Sequence, residues 1–173
     1  RYQEALDNFN EFYDVVVAEI AQFDDKIAED IENSKHKFRI YRDVRFSKDK
    51  TPYKTHFGAM IVPGKKAAKP FTPGYYVHIE PSNTGFGAGM HMPDSKVLKS
   101  IRESILENAE KYKQLITKLS EVNLDLIGEE NALKSAPRGF DKTDPNIDLV
   151  KLKSYFVYGS IEDKDLLKDS SID

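Results

Sequence analysis

The sequence predicts an α+β fold, a mainly antiparallel sheet packed with long helices. Three observations carry this expectation. Apolar residues recur at steps of three and four over residues 2–23 and 94–119, the spacing of a helix with one buried face. Between these stretches the period drops to two, as strands require. The strand-like runs follow one another without intervening helices, so a meander of about four to six strands is expected rather than a doubly wound parallel sheet.

The first helix is read from Tyr2, Leu6, Phe9, Tyr13, Val16, Val17, Ile20 and Phe23 on one face, with Glu4, Asp7, Glu11 and Asp14 opposite. Asp24 and Asp25 break it and cap a shorter helix carrying Ile27 and Ile31, which ends at Asn33 and Ser34. Residues 38–41 alternate and read as a strand. Residues 43–54 are a loop, because Pro52 has no amide hydrogen to give a central strand. Residues 56–62 form the next strand, and 63–74, with three prolines and two glycines, a long and mobile loop. Over 75–80, Tyr75, Val77 and Ile79 face one way and Tyr76, His78 and Glu80 the other. Residues 85–92 return as an antiparallel partner, in which Gly85, Gly87 and Gly89 leave one face bare for the close approach of another element or a ligand. Asp94 or Ser95 caps one helix, or two in series, running to Leu119. A short strand at 124–127, an irregular stretch over 128–148, a short helix at 147–152 and a strand at 154–161 follow, and a further helix starts at Asp163.

A chain of 173 residues has the length of one domain, and residues 1–173 are read as a single α+β domain. It begins at Arg1 rather than Met, so a fragment or processed form truncated at either end is expected. Charged residues make up 32%, which is polar for a globular chain, yet 10 Phe and 9 Tyr supply large core pieces. The absence of cysteine excludes disulfides, thiolate catalysis and Cys-ligated metal centres, and makes a cytoplasmic location the default expectation. No run approaches the ~18 apolar residues of a membrane span, so no membrane partner is expected. A net charge of −3 argues against a nucleic-acid coat, which calls for a basic domain.

Against that acidic balance, residues 42–56 concentrate five cations, Arg42, Arg45, Lys48, Lys50 and Lys54, with only Asp43 and Asp49 among them. Arginine suits bidentate contact with phosphate or carboxylate, and lysine supplies point charge. These five residues are therefore the candidate anion-binding set, for a small phosphate- or carboxylate-bearing ligand. Arg42 and Arg45 are expected to be partly buried, anchored by Phe46 and Tyr53, with Lys48, Lys50 and Lys54 as an exposed rim. Tyr53, His56 and His78 are the candidates for proton transfer at such a site. Two other readings compete. The basic loop could dock an acidic protein or a nucleic-acid backbone without catalysis, or its charges could be locked in ion pairs with a structural role alone.

The stretch Arg42-Asp43-Val44-Arg45-Phe46-Ser47-Lys48-Asp49-Lys50-Thr51-Pro52-Tyr53-Lys54-Thr55 resembles the signature of a family of domains of unknown function from bacteria and fungi. The run from Gly74 to Pro81, the glycines 85, 87 and 89, and Pro137-Arg138-Gly139-Phe140-Asp141 resemble the same family. The resemblance implies an α+β domain and carries over no catalytic residue.

If strands 56–62, 75–80 and 85–92 are neighbours, His56, His78, Glu80 and His91 share a sheet face, an arrangement open to acid–base or metal chemistry. Their spacing matches no metal motif, so no metal site is expected. The glycines 85, 87 and 89 sit among strands, not between a strand and a helix, so they form no dinucleotide loop. With no phosphate-binding loop or nucleophile elbow either, no cofactor is expected.

Overall fold

The computed structural model describes residues 2–64 and 72–166. In chain order it contains α1 (Tyr2–Ala21), α2 (Asp25–Ala28), α3 (Ile31–Ser34), β1 (Lys35–Lys37), β2 (Phe57–Ile61), β3 (Gly74–Ile79) and β4 (Thr84–Met90). Then come α4 (Ser95–Glu107), α5 (Ala109–Glu121), β5 (Asp125–Leu126), β6 (Tyr155–Ile161) and α6 (Asp163–Leu166). The strands form one six-stranded antiparallel sheet in the order β1-β2-β3-β4-β6-β5, so the expected α+β class holds. The described residues fall into two compact units, 2–64 with 74–86 and 160–166 in one and 72–73 with 87–159 in the other.

In the first unit the helical period of α1 buries Phe9, Tyr13, Val17 and Ile20. They meet Ala59 and Ile61 of β2, Val77 of β3 and Ile27 of α2, all buried. The alternation of β3 falls as the sequence requires: Tyr75 and Ile79 join this core with Val77, while Tyr76 and His78 belong to the other face. Phe9 stacks on Phe57 with ring centroids 5.1 Å apart, and Phe12 meets Phe86 at 6.1 Å. Burial of such rings adds a large favourable contribution per residue. Tyr13 ties the layers together: its hydroxyl donates to the Met60 carbonyl at 2.7 Å and accepts from the His36 amide at 3.1 Å. Asp24 caps α2 by accepting from Lys26 N, and its second oxygen accepts from the Tyr75 hydroxyl at 2.9 Å.

Two local expectations are corrected here. The helix expected around Ile27 and Ile31 is two single turns, because Asp30 caps the second by accepting from Asn33 N and so ends the first. The strand expected at 38–41 lies earlier, at Lys35–Lys37, paired with Ala59–Ile61. Residues past Phe38 leave the sheet, and their alternation serves a local hairpin instead. Tyr41 bridges Tyr53, Arg42 N donates to Pro52 O at 2.9 Å, and Lys54 N donates to Ile40 O at 2.8 Å. The basic stretch is thus a loop pinched shut at its base. Residues 65–71 of the long loop, with Lys65, Lys66 and Lys69, lie outside the described residues.

In the second unit Asp94 caps α4 by accepting from Val97 N at 2.8 Å. The helical stretch to Glu121 is two helices, because Asn108 leaves the helical conformation between them. Arg102 is buried and donates from Nη2 to the Leu152 carbonyl at 2.8 Å. The face bared by Gly87 is filled by the Phe156 ring of β6, so a strand's side chain takes the space that the glycines opened. Among the described residues no helix is long and apolar enough to cross a membrane.

Candidate functional site

Within the basic loop the two arginines are already matched to the two acids. Arg42 Nη1 pairs with Asp49 Oδ2, and Asp49 is held further by the Thr51 hydroxyl and by Thr51 N at 2.9 Å. Those Thr51 hydrogen bonds first, then the Arg42 guanidinium, push the Asp49 carboxyl well below its ordinary range. Arg45 grips Asp43 with Nε at 2.9 Å and Nη2 at 2.6 Å, a bidentate pair that lowers the Asp43 pKa. The expected burial is corrected for Arg45, whose side chain is 76% exposed. Phe46 is no anchor either: it is 95% exposed, and Arg45 lies over its ring rather than under cover of the body. An Asp two residues away can hold Arg45 from the loop itself, so no packing against the sheet is needed. Lys50 donates to the Val44 carbonyl at 2.9 Å, and Lys54 sits 5.4 Å from the centre of the Phe38 ring. Among the described residues Lys48, Lys50 and Lys54 have no acidic partner, so the surplus charge of the stretch resides on these lysines.

At the start of β2 a cleft of about 560 Å³ opens between α1 and the base of the basic loop. Tyr2, Tyr41, Tyr53, Lys54, His56 and Phe57 line it, and among the described residues no carboxylate does. The rings of Tyr41 and Tyr53 stand 5.3 Å apart across the bridge that closes the loop. Three predicted site residues, Tyr53, Lys54 and His56, therefore meet in one concavity, whereas Arg42, Arg45, Lys48 and Lys50 do not line it.

Behind His56 stands a second group. The β2–β3 register pairs Phe57 with Ile79 and Gly58 with His78, so continuing it by one residue sets His56 opposite Glu80. The His56 and His78 rings lie 4.4 Å apart at 31°. His78 Nδ1 shares a hydrogen bond of 2.9 Å with the Tyr76 hydroxyl, and His78 Nε2 faces Glu80 Oε2 at 3.2 Å. Glu80 also accepts from the Thr55 hydroxyl and from Asn83 Nδ2 at 2.7 Å. Three donors, Thr55 first, bring the Glu80 carboxyl down to about 2. Burial, then the neighbouring His78 and Lys54, lowers His56 below its ordinary 6.5. His91 lies in the other unit, where it stands 6.4 Å edge-on from Phe156. Sequence reading did not single out Thr55 and Asn83 as partners of Glu80, since each reaches it through a turn or across strands rather than by strand alternation. A larger cavity of about 730 Å³ in the second unit is walled by Met92, Leu126 and Ile127 with Glu129, Glu130 and Lys153, and no residue of the basic stretch lines it.

The His56 shift has a checkable sign. The folded state holds this imidazole neutral more firmly than the unfolded chain does. Its contribution is therefore complete above 6.5 and is lost as pH falls from 6.5 through the lower folded value. Urea denaturation at several pH values should show that loss, and His56→Gln should flatten the curve in this window alone. An unchanged slope in His56→Gln would contradict the burial of the ring.

A family model described as conserved hypothetical protein (DUF2461) matches residues 1–173. No curated protein matches the chain, and no solved structure does.

Proposed function

The chain belongs to this family of conserved hypothetical proteins, whose description names no reaction, and we propose from the geometry that the cleft at the base of the basic loop binds a small anionic ligand carrying phosphate or carboxylate. One observation carries the reading: the cleft sets Lys54 and a neutral-leaning His56 in walls to which no described residue adds a carboxylate. An anion there meets an ammonium it need not share with a competing acid. The rings of Tyr41 and Tyr53, 5.3 Å apart, supply apolar walls beside the ammonium. If the ligand reacts, His56 is our candidate to accept its proton, with Tyr53 in the same cleft wall and the His78 ring tilted 4.4 Å from it. Arg42 and Arg45, committed to Asp49 and Asp43, contribute general field rather than direct contact.

A second reading, docking of an acidic macromolecular partner, is favoured by Phe46, which stands out of the loop between Arg45 and Lys48 at 95% exposure. Thermal shift separates the two. Orthophosphate and a panel of small phosphorylated and carboxylated compounds, tested at low salt, should raise Tm, by ~2.7 kcal/mol of stabilisation at a hundredfold excess over Kd. The shift should shrink as salt rises. Lys54→Ala should abolish it, while Lys48→Ala with Phe46→Ala should leave it intact. No shift from any anion at low salt would end the cleft reading. A shift lost only in the Lys48/Phe46 variant would move the site to the loop tip.

A further inference from the structure

We propose that His56, His78 and Glu80 form a binding site for a divalent transition-metal ion, with zinc as the best-matched occupant. The inference starts from convergence. One ring nitrogen of each histidine and one oxygen of Glu80 all lie within 4.8 Å of one another. A tetrahedral ion with bonds of ~2.0–2.2 Å holds its ligand atoms ~3.3–3.6 Å apart, so closure needs a shift of about an ångström, within reach of side-chain torsions. The donor set decides the class of ion. Two imidazoles and one carboxylate suit zinc and its first-row neighbours, whereas magnesium and calcium take oxygen ligands. Three protein ligands leave a fourth position for water or substrate.

The surroundings are those a metal site requires. Both histidines are set by adjacent antiparallel strands, β2 supplying the approach to His56 and β3 carrying His78, so their separation follows from the sheet. The Tyr76 hydroxyl lies at His78 Nδ1, and a hydroxyl both donates and accepts. It can therefore accept from Nδ1–H when the lone pair of Nε2, the nitrogen that faces Glu80, is given to an ion. Thr55 and Asn83 hold the carboxylate of Glu80 in place. The side chains of His78 and Glu80 are only 12% and 21% exposed, which limits competition from water. Lys54 is the cation that opposes an ion here, through its effect on His56. The site departs from the expectation of no metal, which rested on chain spacing. Here strand register, rather than a spaced motif, brings the ligands together.

The two readings share His56, which lines the cleft, but the metal ligand set does not include Lys54, so the Lys54→Ala variant tests the anion reading alone. Protein stripped with a chelator should bind one equivalent of zinc in calorimetric titration, and cobalt substitution should give visible d–d bands. His56→Gln, His78→Ala and Glu80→Gln should each weaken zinc binding by more than the ~10–100-fold typical of lost outer-shell partners. Tyr76→Phe should fall within that range, and His91→Ala should bind like the unsubstituted protein. If His78→Ala does not fold, His56→Gln and Glu80→Gln decide the matter, because both keep a polar group of similar size. Absence of stoichiometric zinc binding, or unchanged affinity in those two variants, overturns the proposal. Repeating the orthophosphate thermal shift in the presence of chelator keeps the two readings apart, since an anion shift that survives chelation is independent of metal.

Discussion

Tyr13→Ala should cost the protein about 3–5 kcal/mol, the range for deleting a large buried aromatic ring. Tyr13 is 0% exposed and stacks on Phe9 with centroids 6.0 Å apart. The same side chain also satisfies two backbone groups on two strands, the Met60 carbonyl and the His36 amide. Removing it leaves a cavity between α1 and the sheet and strips one partner from each group. Tyr13→Phe isolates the second effect, since the ring volume stays, and should cost about 1–3 kcal/mol. Equilibrium urea denaturation measures both, and at this chain length each kcal/mol should appear as ~2–4 °C in Tm. With ordinary stabilities of ~5–15 kcal/mol, the alanine variant consumes a large share of the total. A loss below about 1 kcal/mol for Tyr13→Ala would mean that α1 is not docked through this residue.

That hub was half legible in the sequence. The 3.6-residue period placed Tyr13 on the inner face with Phe9, Val17 and Ile20, all buried, but it placed Tyr2 and Phe23 there too, and these are exposed. The bonds of its hydroxyl were not legible, because Met60 and His36 lie 47 and 23 residues away and only the folded sheet brings them near. The same division runs through the other elements. Periods of two and 3.6 are local, so β3 emerges from the sequence with its faces correctly assigned. Residues 38–41 misled for the same local reason: Phe38 and Ile40 flank Arg39 as in a strand, but Phe38 and Tyr41 pack on Tyr76 and Tyr53 in and beside a hairpin.

The candidate site divides along a similar line. The basic stretch was visible as composition, and the tally of two acids against five cations correctly left three unmatched. Which cations those are depends on the path of the loop: Arg42 meets an acid seven residues on, and Arg45 one two residues back. The expectation that Phe46 anchors the loop treated an aromatic ring as a core piece by default. Its neighbour Arg45 lies over it in solvent instead, a cation–π contact that needs no burial. His78 and Glu80 shared a face by alternation alone. His56 joined them through the β2–β3 register, which no reading of β2 in isolation supplies.

Gly89→Ala should be the most damaging single-methyl addition on the sheet, at about 2–6 kcal/mol, the sum of ~1–3 for backbone strain and ~1–3 for overpacking. Gly89 has φ +127, where an L side chain is strained in any surroundings. A Cβ there would also stand 2.3 Å from the Tyr155 carbonyl oxygen and 2.9 Å from the Phe156 Cα. Those are backbone atoms of the neighbouring strand, so relief requires β6 to move rather than a side chain to rotate. Gly139 supplies the control: its φ is +88, but no atom of the described residues lies within 4 Å of an added Cβ. Gly139→Ala therefore carries the strain without the collision and should cost about 1–3 kcal/mol. The difference between the two variants, read from urea denaturation, isolates the close approach of β4 to β6. Equal losses would show that the bare glycine face is not filled by its neighbour strand and would return it to consideration as a surface open to a ligand.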